Sequence, residues 1–512
     1  MSDGPYPLCR AATTVGVEVA GGDTVAPDAG ALRAALLELG FTADGVLAEL
    51  GPDAFAALGR GEAAPVRHVL ADRADDGLTD LIRLFLLGEV VPTNRLSAAV
   101  PLADAERLGL IAEVAEGDIE QIRARLHVQP YPTPSGDGFV VSDMPAWMGR
   151  TGGRGLRPDH VVGIGGATIT LATITPRNPV DQALDLGTGC GLQALLAAGH
   201  SRRVVATDRS ERALAMAQMT AVLSGASFDC RAGSLFDPVE DDAFDLIVAN
   251  PPFVISPRAR YTYREAPLRA DDLSRAVVQQ AAAHLRPGGV AVLLANWLHT
   301  ADEPWHDRLA SWAPPDTQMW AAQRERLTPS EYVDVWLRDS AEHGGPDHAR
   351  RYAEWLTYFD DLAATAIGFG WIVLRRSGTP WFVAEDVADA ERLPTGAEVL
   401  EQLADFGALH DATAVRLLDS APTWRPDTEL HRSWFPTGQA GVDVVATRAW
   451  RPTEAIDPIV VDLLAGTGSL ADRIEHQADG DADRADEVAA RALVGVRRLV
   501  GAGMVSLDES SG

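Results

Sequence analysis

Asp185-Leu-Gly187-Thr188-Gly189-Cys190-Gly191, then Val204-Val-Ala-Thr-Asp208, then Phe244-Asp-Leu-Ile-Val-Ala-Asn250-Pro251-Pro252-Phe253 is the run whose reading decides the fold. Ala183 to Leu186 is short and apolar, as a buried strand is. The glycines after it allow a tight turn and let backbone amides approach a ligand. Leu192 to Ala198 reads as a helix packed back on the sheet. Arg203 to Thr207 gives a second apolar strand, ending in Asp208, a carboxylate placed to accept both hydroxyls of a ribose. This alternation predicts an α/β doubly wound sheet, with ligands beyond the carboxyl ends of its strands.

A nicotinamide dehydrogenase shares the glycine turn and the acid after strand two. Two features point elsewhere. Asp185 sits inside the strand-to-loop turn, within reach of a cationic amino-acid moiety, and a dinucleotide needs no acid there. The second feature is Asn250-Pro251-Pro252-Phe253 at a later strand end. The nitrogen of an amide or nucleobase amine is a poor nucleophile, because its lone pair is delocalised. Two acceptors that hold its hydrogens favour a tetrahedral nitrogen, and the Asn250 side-chain oxygen and the Pro251 carbonyl can supply them. The prolines stiffen the turn and preorganise these acceptors. Phe253 offers a flat face for a planar acceptor. Any one of these turns alone is more often only a turn. Their joint occurrence, in order and each at a strand end, carries the reading.

The run resembles the class I S-adenosylmethionine-dependent methyltransferases of the amino-group type, over roughly 130 residues, about one domain. That group includes release-factor glutamine, guanine-N2 ribosomal RNA and adenine-N6 methyltransferases. The resemblance implies a Rossmann-like sheet and S-adenosyl-L-methionine as cofactor. It makes Asp185, Gly187, Thr188, Gly189, Asp208 and Asn250 cofactor contacts, and Asn250, Pro251, Pro252 and Phe253 the catalytic clamp. Where many relatives carry an acid facing the adenine amine, this chain has Ser234, which either substitutes or leaves that contact out.

Composition bounds the rest. A chain of 512 residues suggests two to four domains. No run approaches the roughly 20 apolar residues of a membrane span, and the start lacks the regions of a signal peptide, so a cytoplasmic protein is expected. Cys9, Cys190 and Cys230 are far apart and make neither a metal spacing nor a disulfide framework. Cys190 in the glycine turn reads as a small residue rather than a nucleophile. The net charge is −29, and every Lys+Arg position is arginine. Such a balance argues against tight non-specific binding to nucleic acid, though net charge is not its distribution.

In chain order, residues 1–27 read as a mobile leader. Residues 28–145 read as a helical, winged-helix-like domain, with Ile122 to Val128 as a strand that Gly138 to Ser142 could pair with. Its role is docking of a partner, or packing on the catalytic domain. Residues 146–378 are the catalytic domain. Within it, His160 to Thr175 either closes over the cofactor through Gly165, Gly166, Thr168 and Thr170 or forms a β-hairpin edge. Arg258 and Tyr261 follow the clamp and are expected to touch substrate. Trp297 is expected at the ligand end of the strand after Pro287-Gly-Gly, as a further substrate contact. Residues 298–362 read as a Trp-rich insertion, with its tryptophans in packing rather than a substrate cage. Residues 379–512 read as a C-terminal α+β domain. There Val461-Asp-Leu-Leu-Ala-Gly466-Thr-Gly468 imitates the cofactor loop, without the acidic strand end or clamp of a second site.

These readings converge on methyl transfer to a planar NH2 nitrogen, with no metal required. A protein or peptide side-chain amide is the favoured acceptor, given the acidic chain. A base amine of RNA or DNA fits the clamp equally, and a small metabolite remains open. A reading of another class is a cofactor-binding regulatory protein that has lost catalysis.

Overall fold

The computed structural model describes residues 29–73, 75–114, 120–148, 157–257, 269–339, 347–426, 428–434, 440–446, 450 and 454–508. The expected leader lies outside the described residues. The centre is an eight-stranded sheet: β1 (Val180–Leu186), β2 (Ser201–Asp208), β3 (Asp229–Ala232), β4 (Phe244–Ala249), β5 (Leu285–Thr300), β6 (Thr317–Leu327), β7 (Ala364–Arg376) and β8 (Trp381–Asp386). The spatial order is β3-β2-β1-β4-β5-β7-β6-β8. β1 to β5 run parallel. β7 is antiparallel to both β5 and β6, and β8 is parallel to β6. This is the Rossmann-like α/β sheet that the sequence predicts.

The inner strands are near-continuous apolar runs because both faces are covered. Successive side chains alternate between two cores. Leu184, Leu186, Val205, Ile247 and Ala249 pack with Leu273, Val277 and Ala281 of α4 (Asp272–Ala283). Ala183, Val204, Ala206, Leu246 and Val248 pack with Leu171 and Ile174 of α1 (Gly166–Ile174) and Ala194 of α2 (Leu192–Ala198). The strand order reverses between β1 and β4. The carboxyl ends of these strands bracket the crevice where doubly wound sheets bind ligands.

The structure corrects several expectations. Residues 160–175 hold α1 rather than a hairpin edge; Leu171 and Ile174, three apart, are its buried pair. The Trp-rich segment is not merely inserted, because it contributes β6 to the sheet. The sheet does not stop at residue 378: β8 lies beyond it, and α7 (Gly396–Asp411) then seats Val399, Leu403 and Phe406 in the core with Trp320, Trp371 and Trp381. The run Ile122–Val128 is split between two sheets. Gln121–Ala124 pairs with Val90–Pro92 and Ile111–Val114, while His127–Thr133 forms a hairpin with Gly136–Ser142. The run that imitates the cofactor loop, not expected to form a second site, follows a helix, Pro458–Leu464, rather than a strand.

The N-terminal module is fixed to the catalytic sheet through α3 (Glu211–Ser224). The backbone amides of Phe139 and Val141 each donate at 2.9 Å, to Ser224 Oγ and Thr220 Oγ1. One apolar core runs through Leu32, Phe41, Phe85 and Phe139 to Leu192 and Met216 without a break. Among the described residues, no helix is long and apolar enough to cross a membrane.

Candidate active site at the carboxyl edge of the sheet

A cavity of about 1250 Å³ opens at the carboxyl ends of β1, β2 and β4. The turn after β1, Asp208 and Arg209 after β2, Ser234 and Leu235 after β3, and Asn250 to Val254 after β4 all line it. His160 to Thr168 form a further wall, as the closing-over reading expects; Thr170, one half-turn on, does not reach it. Gly187 and Gly189 have φ of 73° and 54°, in the left-handed region. A Cβ at either would meet nothing within 4 Å, so both present bare backbone to the cavity.

Asp185 is buried beneath this turn and organises it. Its Oδ2 accepts from Thr188 Oγ1 at 2.6 Å and from the Ala194 amide at 2.9 Å, in the first turn of α2. Burial pushes its carboxyl up to about 7, against the pull of those two donors. Asp208 Oδ2 accepts from the Gly189 amide at 3.0 Å, and its Oδ1 from the Ser210 amide at 2.8 Å. Burial raises this carboxyl as well. Each oxygen keeps lone-pair capacity after one such bond. Ser234 is exposed on the rim of the cavity. Cys190 is buried, and burial pushes its thiol up to about 11, which keeps it neutral and unsuited to nucleophilic attack.

Asn250 is half-buried at the end of β4. Pro251 turns the chain so that its carbonyl accepts from the Phe253 amide at 2.7 Å. That carbonyl is therefore already half-used, with one lone pair left for a ligand. The turn is backed by the Trp-rich segment, through α5 (Pro329–Asp339) and α6 (His348–Asp361). Tyr332 of α5 is fully buried, and its hydroxyl accepts from the Ile255 amide at 2.8 Å and from Asn296 Nδ2 at 3.1 Å. Tyr358 of α6 likewise takes the Ala270 amide at 3.0 Å. Val254 and Ile255 pack into the same cluster as Trp355 and Phe359. From α5, Trp336 and Arg338 reach the cavity itself.

Trp297 does not belong to the site. It is fully buried, with Nε1 donating to Gln323 Oε1 at 3.3 Å, and it stacks on Trp305. The cause is the length of β5, which continues to Thr300 because β7 pairs with it that far. Arg258 and Tyr261 lie outside the described residues. Sequence reasoning missed Tyr332, Trp336 and the N-terminal residues His127, Gln129 and Trp147, which line one wall. Nothing local in the sequence marks them.

Residues 163–304 match the family model described as methyltransferase small domain, and residues 38–125 match a domain of unknown function (DUF7059). The release factor glutamine methyltransferase of Xylella fastidiosa (strain Temecula1) is 32% identical over 193 residues, covering 29% of this chain and 70% of that protein. The chain belongs to the class I S-adenosylmethionine-dependent methyltransferases of the amino-group type. Its similarity to the release factor glutamine methyltransferase of Geobacter sulfurreducens is 36% over 119 residues, covering 21% of this chain and 42% of that one. The chain thus spans less than half the length of that relative. The ribosomal RNA small subunit methyltransferase C of Alcanivorax borkumensis is 29% identical over 115 residues, covering 22% of this chain and 32% of that one.

The residues present in this methyltransferase fit its cofactor. The bare backbone at Gly187 and Gly189 leaves room for close approach of a ligand, and the carboxylates of Asp185 and Asp208 line the same edge of the cavity.

Proposed function

We propose that the chain methylates the side-chain amide nitrogen of glutamine in a cytoplasmic polypeptide. One observation carries the reading: the Asn250–Phe253 turn faces the same cavity as the glycine turn and Asp208. The names of the glutamine methyltransferases it resembles support an amide acceptor, and a net charge of −29 supports a protein over a nucleic acid. S-adenosylmethionine, when bound, supplies a methyl already activated by its sulfonium. Asn250 Oδ1 and the Pro251 carbonyl accept the amide hydrogens, and Phe253 stacks on the amide plane. Held there, the cofactor would supply the methyl to the nitrogen and would take the electron pair of the broken bond on its own sulfur. The extra proton on nitrogen passes to solvent. Positioning supplies much of the rate.

The test is transfer of radiolabelled methyl into a cell extract divided into protein, RNA, DNA and small-molecule fractions. Label in protein, recovered as N-methylglutamine after digestion, is the expected result. Label confined to RNA or DNA overturns the reading.

Two further outcomes are expected. Asp208→Ala weakens cofactor binding by about 1–3 kcal/mol, as charge-assisted hydrogen bonds are lost; unchanged affinity by calorimetry contradicts a ribose role. Tyr332→Phe leaves the Ile255 amide and Asn296 Nδ2 without their acceptor, so the clamp loosens. A roughly tenfold fall in kcat with unchanged cofactor affinity is expected, on the scale of one unsatisfied buried donor. Equal kcat in the two proteins refutes the backing role.

A further inference from the structure

The cavity is larger than the 300–1,000 Å³ usual for a small-molecule site, at about 1250 Å³. The extra wall comes from the N-terminal module. His127 and Gln129 lie two apart on one strand, and so share a face. Val128 between them is fully buried in the apolar core on the other face. Trp147 lines the same cavity, packed so closely on Gly61 that a Cβ there would come within 2.8 Å of its ring. Gly61 itself has φ of 80°, so this close approach is built into the backbone.

His127 is 7% exposed, and what remains accessible faces the cavity. Among the described residues, neither its ring nor the Gln129 amide nor the Trp147 indole has a hydrogen-bond partner. All three keep some solvent access on the cavity side, so a ligand entering the cavity can reach their polar atoms. Burial also pushes the imidazole down to about 4, so it is neutral at physiological pH, with one donor and one acceptor nitrogen. Gln129 likewise offers both. Arg60, the guanidinium on this wall, is paired with Glu62 at 3.3 Å, and the carboxylates of Asp143 and Asp159 lie nearby. Among the described residues, this N-terminal wall itself contributes no unpaired cation for a phosphate; the cavity's other arginines, Arg209 and Arg338, lie on its catalytic-domain side.

We propose that His127, Gln129 and Trp147 form a subsite for the backbone amides of the polypeptide that carries the methylated glutamine. A peptide group is neutral and planar and presents one donor and one acceptor, which matches the wall in charge, shape and hydrogen bonding. The N-terminal module is then part of the acceptor site rather than a packing cap. This inference rests on the amide-acceptor reading given above.

The experiment uses the full chain saturated with S-adenosylhomocysteine and labelled with 13C at histidine. The probe is the capped tripeptide acetyl-Gly-Gln-Gly-methylamide, and the readout is the His127 ring resonance, assigned by its loss in His127→Asn. The resonance shifts on titration with the tripeptide. His127→Asn and Gln129→Leu each weaken tripeptide binding by about fivefold or more, the scale of one neutral hydrogen bond, with S-adenosylhomocysteine affinity unchanged. A His127 shift on addition of S-adenosylhomocysteine alone, with weaker binding of it by both variants, assigns the wall to the cofactor and overturns the proposal. So does an RNA trinucleotide that shifts the resonance where the tripeptide does not. Tripeptide binding that neither variant weakens overturns it as well. Because this readout needs no turnover, it separates from the labelled-methyl test: label confined to RNA sinks the amide acceptor, whereas loss-free variants sink only the subsite.

Discussion

Asn250→Ala lowers methyl transfer by at least about 100-fold, the scale of removing one preorganised polar group from a developing charge, while cofactor affinity stays within about twofold. The asymmetry follows from where Asn250 sits. It is the first residue beyond β4, half-buried, and held in front by two prolines and behind by the Tyr332 hydroxyl at Ile255. Its amide oxygen is the freer of the two clamp acceptors, since the Pro251 carbonyl is already engaged by Phe253. Alanine leaves the turn standing and removes the acceptor. Single-turnover label transfer gives the rate, and calorimetry gives the cofactor affinity. Equal rates in the two proteins would remove Asn250 from the chemistry. A parallel loss of cofactor affinity would make it a cofactor contact first.

The second large effect is a dependence on pH that runs through Asp185. Its folded carboxyl lies near 7 because burial disfavours the charge. Cofactor binding that places an ammonium beside it favours the ionised form. Affinity then rises by roughly tenfold from pH 5.5 to 7, where the ligand's own amino group stays protonated. Asp185→Asn flattens this slope and binds more weakly at pH 7. The neighbouring thiols of Cys190 and Cys230 are pushed to about 11 and about 12 and do not titrate in the window. The cofactor-free protein shows the opposite sign. A raised carboxyl holds a proton in the folded state that the unfolded chain gives up. Its contribution to stability is therefore present at low pH and lost as pH rises through about 7. Asparagine at 185 removes that loss, and denaturant unfolding at pH 5 and pH 7.5 measures it. A slope identical in wild type and variant would assign the pH dependence to other groups.

The sheet edge and its clamp were legible in sequence because their signals are local. A glycine turn after an apolar run, an acid at the next strand end and Asn-Pro-Pro-Phe at a third each carry their chemistry within a few residues. Their meeting at one sheet edge follows from doubly wound topology alone. Trp297 was misread because a strand's end is set by its partner, and β7 lies some 65 residues further on (on the order of half a domain). β6 and β8 were misassigned for the same reason: long-range pairing has no local signature. Tyr332 was hidden differently. A tyrosine in an amphipathic helix looks like core, and here it is core, but its one polar atom meets the backbone amide of Ile255, 77 positions away. His127 sits in a strand whose neighbours Leu126 and Val128 are buried apolar residues, and only the assembled cavity gives it a purpose.

The placement of β7 between β5 and β6 has a consequence for biosynthesis. β5 leaves the ribosome with its outer edge of Val290 to Leu298 unpaired, and β6 follows with no partner at all until β7 is made. At about 5–20 residues per second, that interval lasts roughly 3–13 s. For the later part of that interval, once β6 has also emerged, the nascent chain carries two long strands with open edges, the kind of segment that chaperones bind and that aggregates in their absence.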